Sequence, residues 1–183
     1  MAPRSPYVID IRDLGRQPGA MRRLARSFAV PAGWQAGVVV VPADSALDAD
    51  LRLEAVVDGV LVSGTATVTF TGECGRCLDP VEQPLTVDIQ ELFVYDAAGE
   101  DDLPLVDADT VDLEPTLRDS IILGLPANPL CRPDCAGLCP GCGERRDNLP
   151  PDHAHDGIDP RWAALAQLSG AASPPTETDI KEK

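Results

Sequence analysis

Eight residues of this chain belong to the types that bind soft divalent metals, and they fall into four close pairs. Cys74 and Cys77 sit in "GECGRCL", Cys131 with Cys135 and Cys139 with Cys142 in "CRPDCAGLCPGCG", and His153 with His155 in "PPDHAHDG". Residues 131–143 therefore hold four of the six cysteines, together with two prolines and three glycines, and that composition excludes a helix. Such a loop needs an ordering agent. Tetrahedral Zn²⁺ takes about four sulfur or nitrogen ligands, and a C-x-x-C turn supplies two at a time. "CPGCG" suits that turn because its small residues let backbone N–H groups fold toward the sulfurs.

Four pairs fill two tetrahedral sites, and three partitions are open at this level. One joins Cys74, Cys77, Cys131 and Cys135 and leaves Cys139, Cys142, His153 and His155 for a second site. A ribbon of Cys74, Cys77, Cys139 and Cys142 is a rival. The third is a compact site of the four loop cysteines, with Cys74 and Cys77 left as thiols. A dithiol of the thioredoxin kind usually opens a long helix after a strand, whereas Pro80 closely follows Cys77. The first 13 residues lack the apolar run of a secretory signal, and the longest apolar run, around residues 38–41, is too short to cross a bilayer. A reducing, cytoplasmic setting without membrane attachment is expected, where C-x-x-C means metal or redox work rather than structural disulfides.

Phosphate-loop, dinucleotide, zinc-protease and nucleophile-elbow motifs are all absent from the sequence. A closed four-ligand site also keeps no position for a reactive water, so a non-enzymatic, metal-stabilised role is expected. Charge is unevenly spread. Residues 1–35 carry six arginines against two acids, while the chain as a whole has a net charge of −15. Twelve acids and no base lie between Arg76 and Arg118. An acidic body disfavours broad contact with a phosphate backbone and suits a basic protein partner. Arg16, Arg22, Arg23 and Arg26 are the candidates for a limited RNA contact, and Glu100, Asp101 and Asp102 for a protein contact.

Several elements must position these groups. "YVIDIRDL" reads as an extended entry, and the basic segment "AMRRLARSF" is compatible with a helix. Residues 37–71 are β-rich, with a hairpin signal at Asp58-Gly59 and room for a bulge at Gly64. On the second strand Leu61, Gly64, Ala66, Val68 and Phe70 break strict alternation around Gly64. "PLTVDIQELFVYD" supplies another strand through Leu85, Val87, Ile89 and Phe93. Residues 96–112 read as an exposed loop. Leu117, Ile121 and Leu125 recur at helical spacing ahead of Pro126, and "DPRWAALAQL" is compatible with a helix bearing Trp162, Leu165 and Leu168. The tail from Ser169 has the composition of a disordered segment.

Taken together, "DGVLVSGTATVTFTGECGRCLDPV", "ELFVYD", the acidic gap and "VDLEPTLRDSIILGLPANPLCRPDCAGLCPGCG" closely resemble the YceD family, the large ribosomal RNA subunit accumulation proteins. "IDIRDLGRQPGAMRRL" and "DPRWAAL" resemble its actinobacterial branch, and the likeness covers residues 7–168. "ERRDNLPPDHAH" departs from the family pattern, standing where many members have a cysteine-ending tail. The resemblance implies a bacterial factor for large-subunit ribosomal RNA accumulation, acting through a large-subunit ribosomal protein or a pre-ribosomal particle. The expected architecture is α+β: an antiparallel, curved or barrel-like sheet with a few short helices and a cysteine-rich zinc-binding loop. Its expected segments are a basic one over 1–35, a β-rich core over 36–127, the zinc loop with a short helix over 128–168, and a disordered tail over 169–183. The alternative function is a zinc- or thiol-based redox-sensing adaptor.

Overall fold

The structure is a computed structural model that describes residues 5–96, 103–155 and 161. The chain divides into two compact units, Met1–Leu138 and Cys139–Lys183, so the division falls inside the cysteine loop. The first unit is built on an antiparallel sheet. Its strands are β2 (Met21–Ala29), β3 (Gln35–Ala36), β4 (Val39–Val40), β5 (Ala46–Ala55), β6 (Gly59–Glu73) and β7 (Pro80–Val94). A two-stranded ribbon pairs β1 (Val8–Asp10) with β8 (Thr110–Asp112). One α-helix, α1 (Glu114–Gly124), occurs among the described residues, together with a single 3₁₀ turn, Arg146–Asn148.

Alternation dictates the sheet. β5 reads "ALDADLRLEA", and every second residue from Leu47 to Ala55 is buried. On β6 the buried set is Val60, Val62, Ala66, Val68 and Phe70, with Leu61 on the opposite face. β6 and β7 pair along their whole length, Gly59 with Val94 through Glu73 with Pro80. The register is continuous through Gly64 on both sides, so the expected bulge does not form. Prolines at 80 and 84 confine β7 to an edge, because proline has no N–H to give a second neighbour. β2 is the opposite edge and pairs only with β5, so the sheet stays open and is not a barrel.

Two expectations fail here for the same reason. The segment "AMRRLARSF" is rich in helix formers, yet it runs as β2, paired over nine residues with β5. Within the expected loop over 96–112, Thr110–Asp112 forms β8 against β1. In both cases a preformed strand edge outweighs a local preference of a few tenths of a kcal/mol per residue.

The core lies on one face of the sheet. Tyr7 stacks on Phe28 at 4.6 Å and donates its hydroxyl to Ala29 O at 2.9 Å. Burial first, and Glu114 second, push the Tyr7 phenol up to about 12, so it remains a donor at any ordinary pH. Trp34, Leu113, Leu117 and Ile121 are fully buried in the same cluster. α1 packs on β7, where Gly124 lies against Val87 and Leu85. Pro115 pre-sets its first turn, and Leu125, the third residue expected on the helical spacing, is the extended C-cap and still buried. Ile121→Ala is expected to cost about 3 kcal/mol in urea unfolding, since the α1–sheet interface cannot collapse around the lost side chain. The candidate helix carrying Trp162, Leu165 and Leu168, and the tail, lie outside the described residues.

Candidate metal centres

The chain makes the same turn twice. After β6 ends at Glu73, Cys74 N donates to Asp79 O at 2.7 Å, and Leu78 N donates to Cys74 O at 2.9 Å. In the second unit, Cys139 N donates to Glu144 O at 2.7 Å and Gly143 N to Cys139 O at 2.8 Å. The fifth position of each turn has positive φ, +63° at Leu78 and +76° at Gly143. Glycine takes that conformation freely, whereas Leu78 carries a strain of about 1 kcal/mol. The turn wraps its first sulfur in amide hydrogens. Hydrogen bonds from the backbone N–H of Cys131, and then of Arg76 and Cys77, bring the Cys74 thiol down to about 6 against the pull of burial. The N–H groups of Cys142 and Gly141, with His153 beyond them, bring Cys139 down to about 6 in the same way. Burial pushes Cys77 up to about 12 and raises Cys131 as well.

The partner of the first turn is the loop after α1. Gly75 N donates to Pro129 O at 2.8 Å, Leu138 N to Arg76 O at 3.0 Å, and Gln83 Nε2 to Leu130 O at 2.9 Å. Arg76 Nη1 reaches back to Cys135 O at 2.9 Å. These bonds place Cys74 Sγ 3.8 Å from Cys135 Sγ and Cys77 Sγ 3.6 Å from Cys131 Sγ, with all four sulfurs within 4.8 Å of one another. In the second unit, His153 Nε2 lies 3.5 Å from Cys139 Sγ, 3.6 Å from Cys142 Sγ and 2.9 Å from His155 Nε2. Those four ligand atoms also lie within 4.8 Å of one another.

These separations have a simple geometric meaning. The edge of a tetrahedron is about 1.6 times its centre-to-corner distance. Zn–S bonds of about 2.3 Å and Zn–N bonds of about 2.0–2.1 Å imply S···S edges of about 3.8 Å and S···N edges of about 3.6 Å. The observed S···S and S···N separations match. A cluster of buried thiols also gains from a cation, since each thiolate is costly in apolar surroundings unless its charge is compensated. Each set could hold one metal ion with all four corners supplied by the protein.

The structure thus forms the partition of Cys74, Cys77, Cys131 and Cys135 beside Cys139, Cys142, His153 and His155. It forms neither the ribbon nor the compact loop site. His153 and His155 complete the second set in the stretch "ERRDNLPPDHAH", whose polarity alone is equally suited to a solvated loop. Gly141 makes room for His155, because a Cβ there would overlap the imidazole. Gly141→Ala keeps all eight ligands, yet it is expected to weaken metal binding at the second set by about 10–100-fold, the usual effect of disturbing a supporting group. Competition with a chromophoric chelator would read that loss, and undiminished affinity would refute the role given to Gly141. Arg76 and Gln83, which tie the loops together, carry no spacing signal that a single sequence could reveal.

The four candidate RNA-contact arginines do not form one patch. Strand alternation puts Arg22 and Arg26 on the Phe28 side of β2 and Arg23 on the other. Arg22 is paired with Asp13 at 2.6 Å and Arg23 with Asp50 at 2.5 Å. Arg26 lies over Phe28, and Arg16 covers the Tyr95 ring at 4.8 Å. Glu100, Asp101 and Asp102 lie outside the described residues. Among the described residues, no helix is long and apolar enough to cross a membrane.

Comparison with known proteins adds a family. The YceD family model, "Large ribosomal RNA subunit accumulation protein YceD", matches residues 62–169, a segment that includes all eight metal-binding candidates. An uncharacterized protein of Mycobacterium tuberculosis (strain ATCC 25618 / H37Rv) is 43% identical over 175 residues, covering 92% of this chain and 84% of its own. An uncharacterized protein of Mycobacterium leprae (strain TN) is 39% identical over 182 residues, covering 96% and 83%. One from Bacillus subtilis (strain 168) is 31% identical over 108 residues, covering 55% of this chain and 63% of that protein. No solved structure matches the chain.

Proposed function

The chain belongs to the YceD family, and from that premise we propose that it is a non-catalytic, zinc-stabilised factor that supports accumulation of large-subunit ribosomal RNA in the cytoplasm. The observation that carries this reading is the family match, which runs from β6 through both cysteine turns. Zinc is favoured by the donor chemistry, four thiols in one set and two thiols with two imidazoles in the other. The non-catalytic role is supported by the four protein donors in each set, which leave a tetrahedral ion no free position. When bound, such an ion supplies cross-links between loops. The protein's own residues do the rest: Arg76 and Gln83 hold the loop after α1, and Gly141 seats His155.

The partner would be a basic large-subunit ribosomal protein or a pre-ribosomal particle containing one. Of the charged residues, the arginines of the N-terminal segment are largely spent on pairs with Asp13 and Asp50 or on stacking, so any RNA contact through them is minor. The acidic stretch from Asp79 to Glu114, whose sequence contains Glu100, Asp101 and Asp102, is better matched in charge to such a partner. Charge complementarity of this kind mainly accelerates encounter and selects partners.

Loss of the gene in an actinobacterial host is the direct test. The expected result is a fall in large-subunit relative to small-subunit ribosomal RNA, restored by the intact gene. An unchanged ratio would overturn the reading. In purified form, capture of a basic ribosomal protein is expected to weaken as salt shortens the Debye length below about 8 Å. Association that is indifferent to salt would contradict the acidic-surface assignment. Release of metal with disulfide formation under mild oxidation, in a host whose ribosomal RNA is unaffected, would instead support the thiol-sensing alternative.

A further inference from the structure

Two turns of the first unit meet beside the end of β7. In the one that follows β1, Leu14 N donates to Ile11 O at 3.0 Å and Gly15 N to Arg12 O at 3.3 Å, and Gly15 is left-handed with φ of +59°. In the one that leads into β8, Asp107 N donates to Thr110 O at 3.0 Å and Thr110 N to Asp107 O at 2.8 Å. Its central residues, Ala108 and Asp109, have φ of +45° and +58°, a conformation that alanine takes only at a cost. Ile11 N donates to Asp109 O at 2.9 Å and ties the two turns together. They enclose a cavity of about 210 Å³, lined by Ile11, Arg12, Gly15, Arg16, Tyr95 and Asp109.

The lining offers donors of two kinds and one acceptor. Arg16 lies over the Tyr95 ring, 4.8 Å from its centroid, a contact that fixes a guanidinium without drawing on its N–H donors. Arg12 gives Nε and Nη2 to Asp10, so Nη1 is the donor that this pair does not use. Tyr95 Oη is buried and has no hydrogen-bond partner among the described residues. Buried hydroxyls are seldom left in that state, because desolvation without a partner is costly. Asp109 supplies the carboxylate of the lining, and it adds to the larger effect of Asp10 in raising the Arg12 guanidinium above its ordinary value. Two guanidiniums and a hydroxyl donor call for an anion. Asp109 disfavours a compact dianion such as free phosphate, which a like charge repels, and suits a neutral donor instead. A ribose phosphate in an RNA chain presents both features, one negative charge on the phosphate and a 2′-hydroxyl that can donate. The volume falls below the 300–1,000 Å³ or so of pockets for drug-sized molecules, so it suits one such unit.

Resting on the ribosomal RNA reading above, we propose that this cavity is a binding site for a single ribose-phosphate unit of an RNA chain. Arg12 and Arg16 hold the phosphate, Tyr95 Oη donates to one of its oxygens, and Asp109 accepts from the 2′-hydroxyl. One unit adds little affinity against the acidic charge of the whole chain. What it adds is selectivity for RNA over DNA, in a complex whose affinity comes from the basic protein partner.

The test is an NMR chemical-shift titration of the isotope-labelled full-length chain, purified under reducing conditions and held at one salt concentration. The probes are a uridylate hexamer, its deoxyuridylate counterpart and inorganic phosphate. The amides of Gly15, Arg16, Tyr95 and Asp109 are expected to shift with RNA, and the RNA hexamer should bind about tenfold more tightly than the DNA one, the usual worth of one hydrogen bond to a charged group. Inorganic phosphate should leave those amides unmoved at the concentration where RNA saturates them. Tyr95→Phe keeps the ring beneath Arg16 and should weaken RNA binding about 3–10-fold without lowering the urea midpoint, because the lost hydroxyl had no partner to leave behind. Asp109→Gly suits the left-handed backbone and should abolish the preference for RNA. Equal shifts with RNA and DNA, or shifts that phosphate alone reproduces, would overturn the ribose-phosphate assignment. RNA binding that leaves these amides unmoved, or no RNA binding, would overturn the site. The ribosomal RNA reading is judged separately by the gene-loss experiment, so a fall in large-subunit RNA there with no shift here would overturn the cavity assignment alone.

Discussion

Replacing Cys74 and Cys77 together with alanine is expected to remove one metal ion per chain and leave the other in place. It should also lower the stability of the first unit by about 4–5 kcal/mol or more, in the range reserved for loss of a metal or disulfide. The physical reason is that a bound ion cross-links the turn after β6 to the loop after α1, and Cys131 and Cys135 alone cannot hold it. The 131–135 loop would then keep only its hydrogen bonds to Gly75, Arg76 and Gln83. Elemental analysis gives the stoichiometry and urea unfolding gives the stability. An unchanged metal count would mean that Cys74 and Cys77 are not ligands, whatever the distances. The matching change at Cys139 and Cys142 provides the contrast: it too should remove one ion, but without shifting the unfolding midpoint of the sheet.

The second large effect is predicted far from either metal set. Gly64→Ala should destabilise the first unit by about 3 kcal/mol, because it combines a backbone conformation closed to L-residues with a steric overlap. Gly64 has φ of +149°, and a Cβ there would overlap the carbonyl oxygen of Asp50 and crowd the Cα of Leu51 on the neighbouring strand. β6 is paired on both sides at this point, with Leu51 on β5 and Ile89 on β7, so the strand cannot move away from one neighbour without losing the other. Thr65→Ala, one residue along, is the control and should change stability by about 0.5 kcal/mol or less. Equal effects from the two substitutions would show that the strands separate easily at Gly64.

Both predictions depend on features that the sequence signals only in part. The cysteine spacings point to metal, and the small residues of "CPGCG" point to a turn that directs amides at sulfur. Chemistry of this kind is local, so it can be read from a few adjacent residues. The same holds for β5, β6 and β7, whose alternation survives because one face of each strand is buried, and for α1, whose Leu117 and Ile121 mark its core side. The resemblance to the family was legible for a related reason: it rests on the order of these local motifs along the chain.

Everything that depended on long-range pairing waited for the tertiary structure. Which cysteines share a site is decided by the loop after α1 being bonded to the turn after β6, contacts over fifty residues apart that no spacing encodes. Helix formers in "AMRRLARSF" became β2 because β5 offered a full-length edge, and backbone pairing with burial outweighs intrinsic propensity. That change of element also dispersed the arginines, since a strand sends Arg22 and Arg23 to opposite faces, whereas a helix would have kept Arg22, Arg23 and Arg26 within one arc of about 100°. Glycine at 64 reads in sequence as a possible bulge, and only the packing of three strands at that point shows it to be a site of close approach. The sequence by itself determined which residues can bind metal and which strands have a buried face. The tertiary structure decided which of those residues meet, because meeting is set by hydrogen bonds and core contacts between segments that are distant along the chain.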